Sequence, residues 1–211
     1  MKKEEVEKVQ YSKILDFIIS ALMKNGLKGT SMDSLASALQ MSKRTLYEIF
    51  GSKENMFREV HDYFHKKIFE KFKDIFNTSQ NVMEAIIRSF LYNRDLMSNL
   101  SADFFREMED FANKNNIVSK NHKHHHDQLY EILKNGVAEG YFRDDINLRV
   151  QCKMLSVQMQ ALKNTEELFP EDITLLDVYD SISIGFLRGI SSPKGLAELE
   201  KYMPLLSNIQ K

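Results

Sequence analysis

Apolar residues recur every three or four positions along most of the chain, the spacing of one face of an α-helix. In the first such stretch, residues 9–24, the apolar face consists of Tyr11, Ile14, Leu15, Ile18 and Leu22. Asn25 and Gly26 follow directly, and both residue types tolerate the left-handed backbone that ends helices. The pattern therefore predicts an amphipathic first helix that ends near residue 25.

Two short helices are predicted next, each preceded by a residue that can cap a helix N-terminus. Thr30 or Ser31 caps the first, and its buried face is expected to be Met32, Leu35, Ala36 and Leu39. Ser42 caps the second, which covers residues 43–49 and ends at Gly51. A longer helix followed by two short helices around a tight turn is the helix-turn-helix pattern.

A long helix over residues 53–76, capped by Ser52, follows this module. Six further helices are predicted with short connections, over residues 82–97, 102–113, 119–139, 147–166, 173–190 and 193–206. We therefore expect two domains: a helix-turn-helix domain over residues 1–52, and a second domain over residues 53–211 in which residues 53–76 form the connecting helix.

The composition supports this assignment. Three prolines and eight glycines in 211 residues are too few for the turns that an all-β fold needs. Gly140 is a predicted helix stop, Pro170 falls between predicted helices and Pro193 begins the last one. Hydrophobic residues make up 43% of the chain, enough for a core. The predicted fold class is all-α, with an N-terminal three-helix helix-turn-helix module followed by a larger helical domain for ligand binding and dimerisation.

Charge is distributed unevenly along the chain. Up to Lys73 there are 14 basic and 10 acidic residues, whereas the remainder has 15 basic and 20 acidic ones. A basic module joined to an acidic body fits a nucleic-acid-binding domain on a larger protein. The N-terminus lacks the apolar run of a signal peptide, and the single cysteine, Cys152, excludes an internal disulfide. We therefore expect a cytoplasmic protein without a membrane span.

The segment that begins at Leu35, LASALQMSKRTLYEIFGSKENMF, resembles the DNA-binding signature of the tetracycline-repressor (TetR) family. The matching positions are Ser42, Lys43, Thr45, Leu46, Tyr47, Phe50, Ser52, Lys53, Glu54 and Phe57. A weaker resemblance continues through GVAEGYFRDD into the helices that follow it. The resemblance implies a transcriptional regulator, a repressor by expectation, that binds a (pseudo)palindromic double-stranded DNA operator as a homodimer and responds to a small-molecule effector.

Residues expected to contact DNA lie at the starts of three helices. A helix in the major groove needs small or long polar side chains near its N-terminus, and free helix amides attract phosphate. The predicted set is Thr30, Ser31, Ser42, Lys43, Arg44, Thr45, Tyr47 and Lys53. The alternative at each position is ordinary helix capping or, for Tyr47, packing with the hydroxyl in water. The joint pattern favours DNA contact.

Two positions depart from the family pattern. Gln40 stands where the turn usually has glycine, so the turn must either hold a left-handed non-glycine residue at a cost or change shape. Arg44 replaces a residue that is often glycine and adds a long hydrogen-bond donor, which can pair with a guanine edge. We expect both to alter which operator is bound rather than to abolish binding.

The second domain is expected to contain the effector site and the dimer interface. Candidate pocket residues, chosen as aromatic or methionine side chains that suit a largely apolar effector, are Phe64, Phe72, Phe90, Met97, Phe104, Phe105, Met108, Phe111 and Tyr130. Candidate interface residues, at helical spacing, are Val150, Met154, Val157, Ala161, Tyr179, Ile182, Phe186 and Ile190. Ordinary intramolecular packing is the alternative for both sets, and the resemblance favours the interface interpretation for the second.

Metal binding and catalysis are the remaining hypotheses. His122 and His126 would share a helix face, as would His61 and His65, but such pairs arise by chance and neither is completed by a further ligand. We predict no metal and no cofactor. Phosphate-binding loops, nucleophile elbows and His-Glu-x-x-His motifs are absent from the sequence, so an enzyme is not predicted. A purely structural helical adaptor would leave the pattern from Lys43 to Lys53 unexplained.

Overall fold

The computed structural model describes residues 2–99, 102–115 and 118–207. The helices are α1 (Lys2–Asn25), α2 (Met32–Ala38), α3 (Lys43–Phe50), α4 (Lys53–Thr78), α5 (Val82–Ser98), α6 (Ala102–Lys114), α7 (Val118–Ala138), α8 (Leu148–Met159), α9 (Thr165–Leu168), α10 (Leu175–Ile190) and α11 (Pro193–Ser207). The described residues include no strand, and the predicted all-α class is confirmed.

The predicted helix boundaries are set by local chemistry. Ser31, rather than Thr30, is the N-cap of α2, and Ser42 is the N-cap of α3. The chain takes positive φ angles at all three predicted glycine stops, 70° at Gly26, 75° at Gly51 and 78° at Gly140. Glycine has no Cβ and adopts this left-handed backbone without strain, so these residues end helices cleanly.

One predicted helix is divided in the structure. Residues 147–166 were expected to form a single helix, but α8 ends at Met159. A 3-10 turn, Gln160–Asn164, and the short α9 replace its last part. The segment has no glycine or proline that would have signalled the break. Leu162 of the 3-10 turn is buried, and local sequence preference does not predict this break.

The first of two compact units extends up to Lys71 and also includes Asn99–Phe111 of the chain. Its core is formed by α1, α2, α3 and the first part of α4, and Phe104 and Met108 of α6 belong to it as well. The side chains of Ile18, Leu22, Leu35, Leu46 and Met56 are completely or almost completely buried there. The predicted apolar faces of the first helices therefore meet in one small core.

The second unit consists of Phe72–Ser98 and the chain from Ala112 onwards. Helices α5, α7, α8, α10 and α11 pack around a core that contains Met83, Leu133 and Leu187. Gly136 of α7 allows the Phe142 ring to approach closely, because a Cβ on Gly136 would lie 2.3 Å from that ring. Cys152 is buried in this core, and burial raises the pKa of its thiol to about 11.

The described helices also bear on a possible membrane span. Of these helices, none combines the length and the apolar character needed to cross a bilayer. This agrees with the frequent charges along the sequence, which interrupt every apolar stretch.

Candidate nucleic-acid interface

The N-terminus of α3 presents polar side chains on one face and buries apolar ones on the other. The Ser42 hydroxyl accepts a hydrogen bond from the Thr45 amide at 3.0 Å and lies 2.8 Å from the Thr45 hydroxyl. Lys43, Arg44 and Thr45 are exposed, whereas Leu46 and Phe50 are buried in the first core. The buried side chains thus hold the short helix against the first core, and its first turn is exposed.

Two exposed ion pairs hold the basic side chains of this surface in the free protein. Lys43 Nζ lies 2.9 Å from an Asp33 carboxylate oxygen, and this hydrogen-bonded contact raises the pKa of the Lys43 ammonium above its usual value. Arg44 Nε lies 2.8 Å from Glu48 Oε1, one helical turn away. Exposed pairs of this kind contribute little stability, so both cations can exchange their carboxylates for another anionic or polar partner at small cost.

The N-terminus of α2 is a second polar edge. Ser31 and Ser34 form a reciprocal capping box, in which each side chain accepts a hydrogen bond from the other residue's backbone amide. Ser31 is exposed. Thr30 is buried, with 2% of its surface accessible, and its hydroxyl donates to the Gly26 carbonyl at 2.7 Å. Ser31 is therefore exposed at this edge, whereas Thr30 stabilises the loop before α2 from inside.

Tyr47 and Lys53 occupy the flank of the same surface. Tyr47 is 40% exposed on α3. Lys53, at the first turn of α4, is half-buried; its ammonium lies 5.2 Å from the centre of the Phe57 ring and 3.4 Å from the Leu27 carbonyl oxygen. The Lys53 stem thus packs against its own unit, while its charge lies near the start of a helix, where phosphate is favoured.

The turn between α2 and α3 adopts the first of the two alternatives predicted for it. Gln40 has φ 54°, in the left-handed region. Its amide donates to Ser37 O at 3.1 Å and the Met41 amide donates to Ala36 O at 2.9 Å. This is the Schellman motif, normally completed by glycine. A non-glycine residue there costs about 1 kcal/mol, which the turn tolerates because both hydrogen bonds are kept.

The candidate pocket residues are distributed over both units. Phe104 and Met108 are buried in the first core, and Phe64 and Phe111 pack against it. In the second unit, Phe72 stacks edge-on to Tyr92 at 6.0 Å, and the Arg149 guanidinium lies 4.3 Å from the centre of the Tyr130 ring.

The remaining candidates are less uniform. Met97 is half-buried, and Phe90 lines a cleft. The Phe105 side chain lies outside the described residues.

That cleft lies between α5 and α10 within the second unit. Ile87, Phe90, Ile184 and Leu187 provide the apolar walls of this cleft, which is narrow and opens to solvent. Its polar lining residues are Arg94, Tyr179, Asp180 and Ser183.

Three of these polar groups define the chemistry of the cleft. Arg94 Nε donates to both Asp180 carboxylate oxygens at 2.9 Å, and desolvation nevertheless raises the pKa of Asp180. The Ser183 hydroxyl is buried and, among the described residues, has no partner in hydrogen-bonding geometry. The charges of Arg94 and Asp180 therefore compensate each other, and the buried Ser183 hydroxyl lies in the same cleft as the Tyr179 side chain.

The candidate interface residues divide into exposed and buried sets. On α8, Val150, Met154 and Val157 are each about half exposed, an uncommon degree for apolar residues one helical turn apart. Ala161 and Ile182 are half-buried. Tyr179, Phe186 and Ile190 of α10 are buried within the unit's own core, and the Tyr179 hydroxyl donates to Phe90 O at 3.1 Å.

The exposed face of α10 carries small residues that were not among the sequence candidates. Ser181, Gly185 and Gly189 are all exposed, one turn apart. A Cβ built on either glycine would meet no atom within 4 Å in the described structure. These positions are open, and the regular spacing of small residues was the sequence signal that could have identified them.

The histidine predictions are only partly within the described residues. His61 is buried, and its ring lies 4.2 Å from that of His65, between ring centres, so this pair shares a helix face. The side chains of His122 and His126 lie outside the described residues. In the part of the chain that the structure describes, no three His, Cys, Asp or Glu side chains are grouped so that they could hold a metal ion.

Three acidic residues near the polar surface were not predicted from the sequence. Asp33 and Glu48 pair with the basic residues of α3, as described above. Glu107 of α6 is buried and binds the backbone of the loop before α2. A helical i,i+4 spacing signalled the Arg44–Glu48 pair, but nothing local in the sequence indicates the partner of Glu107.

Comparison with known proteins agrees with this geometry. Residues 14–60 match the family described as "Bacterial regulatory proteins, tetR family". The "HTH-type transcriptional repressor KstR2" of Mycobacterium tuberculosis is 23% identical over 140 residues, which cover 64% of this chain and 70% of that protein.

Solved structures show the same fold. The ketosteroid transcriptional regulator KstR2 of Mycobacterium tuberculosis aligns with a TM-score of 0.59 at 19% identity, over 87% of this chain and 95% of that one. The transcriptional regulator FadR from Bacillus subtilis, solved in complex with stearoyl-CoA, aligns with a TM-score of 0.60 at 17% identity, over 85% and 99%.

Proposed function

We propose that the chain, whose residues 14–60 match the tetR family of bacterial regulatory proteins, is a DNA-binding transcriptional regulator that acts as a ligand-responsive repressor. We further propose a homodimer on a (pseudo)palindromic operator, in the cytoplasm. Residues 1–52 would bind DNA and residues 53–211 would bind the effector and the second copy. The observation that carries the proposal is the exposed, capped first turn of α3, with cations on its outer face.

DNA contact is assigned to the exposed members of the predicted set. Lys43, Arg44 and Thr45 reach the base edges, with Arg44 exchanging the Glu48 carboxylate for a guanine edge. Ser42, Tyr47 and Lys53 contact the backbone, as does Ser31 at the N-terminus of α2. Thr30 supports this edge from inside the loop, because its hydroxyl is already bonded to the Gly26 carbonyl.

The second copy is proposed to cover the exposed apolar residues of α8 together with the open face of α10. Val150, Met154 and Val157 leave apolar surface in water. Gly185 and Gly189 allow close helix approach on the neighbouring helix, since nothing occupies the space above them. A twofold interface uses the same surface on both copies. The dimer would then present two copies of α3, one for each operator half-site.

The effector is proposed to be largely apolar with one polar end, held in the cleft between α5 and α10. The apolar walls favour a hydrocarbon group, and the Ser183 hydroxyl offers a hydrogen bond to a carbonyl or hydroxyl oxygen. The Arg94–Asp180 pair leaves no net charge in the cleft, so a neutral polar end is favoured. Effector binding would shift the equilibrium between two arrangements of the DNA-binding domains in the dimer, and α4 would transmit this change.

Selection of bound sequences from a random duplex pool tests the central proposal. Near-physiological salt is used, because nonspecific attraction to phosphate fades as salt rises while base recognition persists. An inverted repeat of two half-sites is the expected result. Recovery of no consensus from protein that is folded and free of effector would refute sequence-specific binding.

Residue variants then test the assigned contacts on the recovered operator. Arg44→Ala should relax the preference at one base pair per half-site and cost about 1–3 kcal/mol. Lys43→Ala should likewise weaken operator binding and relax the preference at a second base pair of each half-site. Lys201→Ala is the matched control, since Lys201 is also exposed and paired with a carboxylate, that of Glu198, but lies on α11. Equal effects of Lys43→Ala and Lys201→Ala would contradict the assignment.

A further inference from the structure

Glu107 is a buried acidic residue with an unusual set of partners. It lies on α6 between Phe104 and Met108, which belong to the first core, and only 9% of its surface is accessible. Its Oε2 atom accepts hydrogen bonds from two consecutive backbone amides, Leu27 N at 2.6 Å and Lys28 N at 3.1 Å. A carboxylate is costly to bury, and these charge-assisted bonds to amides offset that cost.

The ammonium of Lys28 does not account for this arrangement. Lys28 Nζ lies 3.7 Å from Glu107 Oε1, but the Lys28 side chain is 86% exposed. An exposed cation at that distance contributes little. The backbone amides are therefore the principal partners of Glu107, and the interaction concerns the path of the loop rather than a particular side chain.

The loop that Glu107 holds leads directly into the N-terminus of α2. It begins after α1 at Gly26 and is closed by the bond from Thr30 to the Gly26 carbonyl. The Leu27 carbonyl oxygen in this loop also accepts a hydrogen bond from the Lys53 ammonium, and the Leu27 amide donates one to Glu107. Ser31, the exposed cap of α2, follows at once. The place of Ser31 therefore depends on where this loop is fixed.

We propose that Glu107 is a positioning residue for DNA binding: by holding the Leu27 and Lys28 amides, it fixes the loop that leads into α2 and so the place of Ser31 on the proposed DNA surface. The inference rests on the proposed function, because it concerns how the same DNA surface is presented. Glu107 itself does not touch DNA in this arrangement. Its loss displaces the loop, and the proposed contact of Ser31 with the DNA backbone weakens with it.

The test compares Glu107→Gln and Glu107→Leu with the wild-type chain on the selected operator. Gln keeps an acceptor oxygen but removes the charge, and Leu removes both while remaining suited to burial. Operator affinity, measured by fluorescence anisotropy, is expected to fall about tenfold in Glu107→Gln, and further in Glu107→Leu. The amide resonances of Leu27 and Lys28 should move in both variants, because their hydrogen bonds weaken or disappear.

Glu84→Gln is the matched control. Glu84 also accepts a hydrogen bond from a backbone amide, that of Gln80 at 2.9 Å, and it lies 3.5 Å from an arginine, Arg88, but all three belong to the second unit. Its operator affinity should stay within about twofold of wild type, a change too small to represent a lost contact. Thermal unfolding of each variant separates loss of fold from loss of position.

The outcomes are distinct. If Glu107→Gln binds the operator as tightly as wild type, or if its loss of affinity matches its unfolded fraction, the positioning role is wrong although the proposed function stands. If wild type itself selects no operator, the proposed function fails, and the positioning role fails with it. If Glu107→Leu does not fold, the Gln variant and its amide resonances still decide the matter.

Discussion

Gly185→Ala gives a prediction whose sign depends on whether the open face of α10 is covered by a second copy. Among the described residues of the single chain, no heavy atom lies within 4 Å of a Cβ built at this position. Alanine is favoured over glycine inside a helix by about 1 kcal/mol, so the substitution should stabilise the isolated chain by that amount. For a chain of this size that corresponds to a rise of about 2–4 °C in Tm.

The proposed homodimer reverses the effect. If the α10 faces of two copies pack closely, each added methyl group must be accommodated in a filled interface, which costs about 1–3 kcal/mol. A twofold interface contains the substitution twice. We therefore expect the dimer dissociation constant to rise at least tenfold, about 1.4 kcal/mol, even as each separate chain becomes more stable.

Sedimentation over a range of concentrations measures the dissociation constant, and denaturant unfolding measures the stability. Gly136→Ala provides the internal comparison, because a Cβ there would lie 2.3 Å from the Phe142 ring and 3.1 Å from Val82. That variant should lose about 2 kcal/mol of stability by overpacking within the chain itself. A Gly185→Ala protein that is more stable and dimerises with an unchanged dissociation constant would refute the placement of the interface on this face.

Three further substitutions follow from the described contacts. Gln40→Gly should raise stability by about 0.5–1 kcal/mol in thermal unfolding, because glycine removes the left-handed strain but restores some chain entropy; an unchanged or lower Tm would show that the turn is not strained. Ser183→Ala should be neutral or stabilising by up to about 1 kcal/mol, since no described group meets the buried hydroxyl in hydrogen-bonding geometry, whereas a marked loss in denaturant unfolding would reveal a partner. Glu48→Ala should release Arg44 and raise affinity for random duplex DNA, so that the ratio of operator to random affinity falls in competition assays; an unchanged ratio would exclude a role for the ion pair in specificity.

The helix ends of the first unit could be predicted because their causes are local. The Ser42 side chain caps the N-terminus of α3, and Gly51 ends the same helix with a left-handed backbone. Even the unusual backbone at Gln40 was among the predicted alternatives, since the hydrogen-bond pattern of the turn requires a positive φ at that position. These features depend only on residues within a few positions of one another in the sequence, so the sequence alone predicts them.

The features that could not be predicted depend on contacts between distant parts of the chain. Glu107 binds amides of Leu27 and Lys28 some eighty positions earlier, and backbone amides have no sequence signature. On α10, an apolar residue looks the same whether it faces the core or a partner, and the structure buries Tyr179, Phe186 and Ile190 in the core. Periodicity identifies the apolar stripe of a helix, but only the packed neighbours decide what covers it.

The buried thiol of Cys152 makes the chain convenient for spectroscopic labelling. Its accessible surface is 1%, and a pKa of about 11 keeps it protonated at neutral pH, so it reacts poorly with thiol-specific reagents. A single cysteine introduced at the exposed Ala38 on α2 would therefore take a nitroxide spin label without removal of the native one. In a homodimer, the interspin distance between the two labels would report directly how far apart the two DNA-binding domains lie, with and without effector.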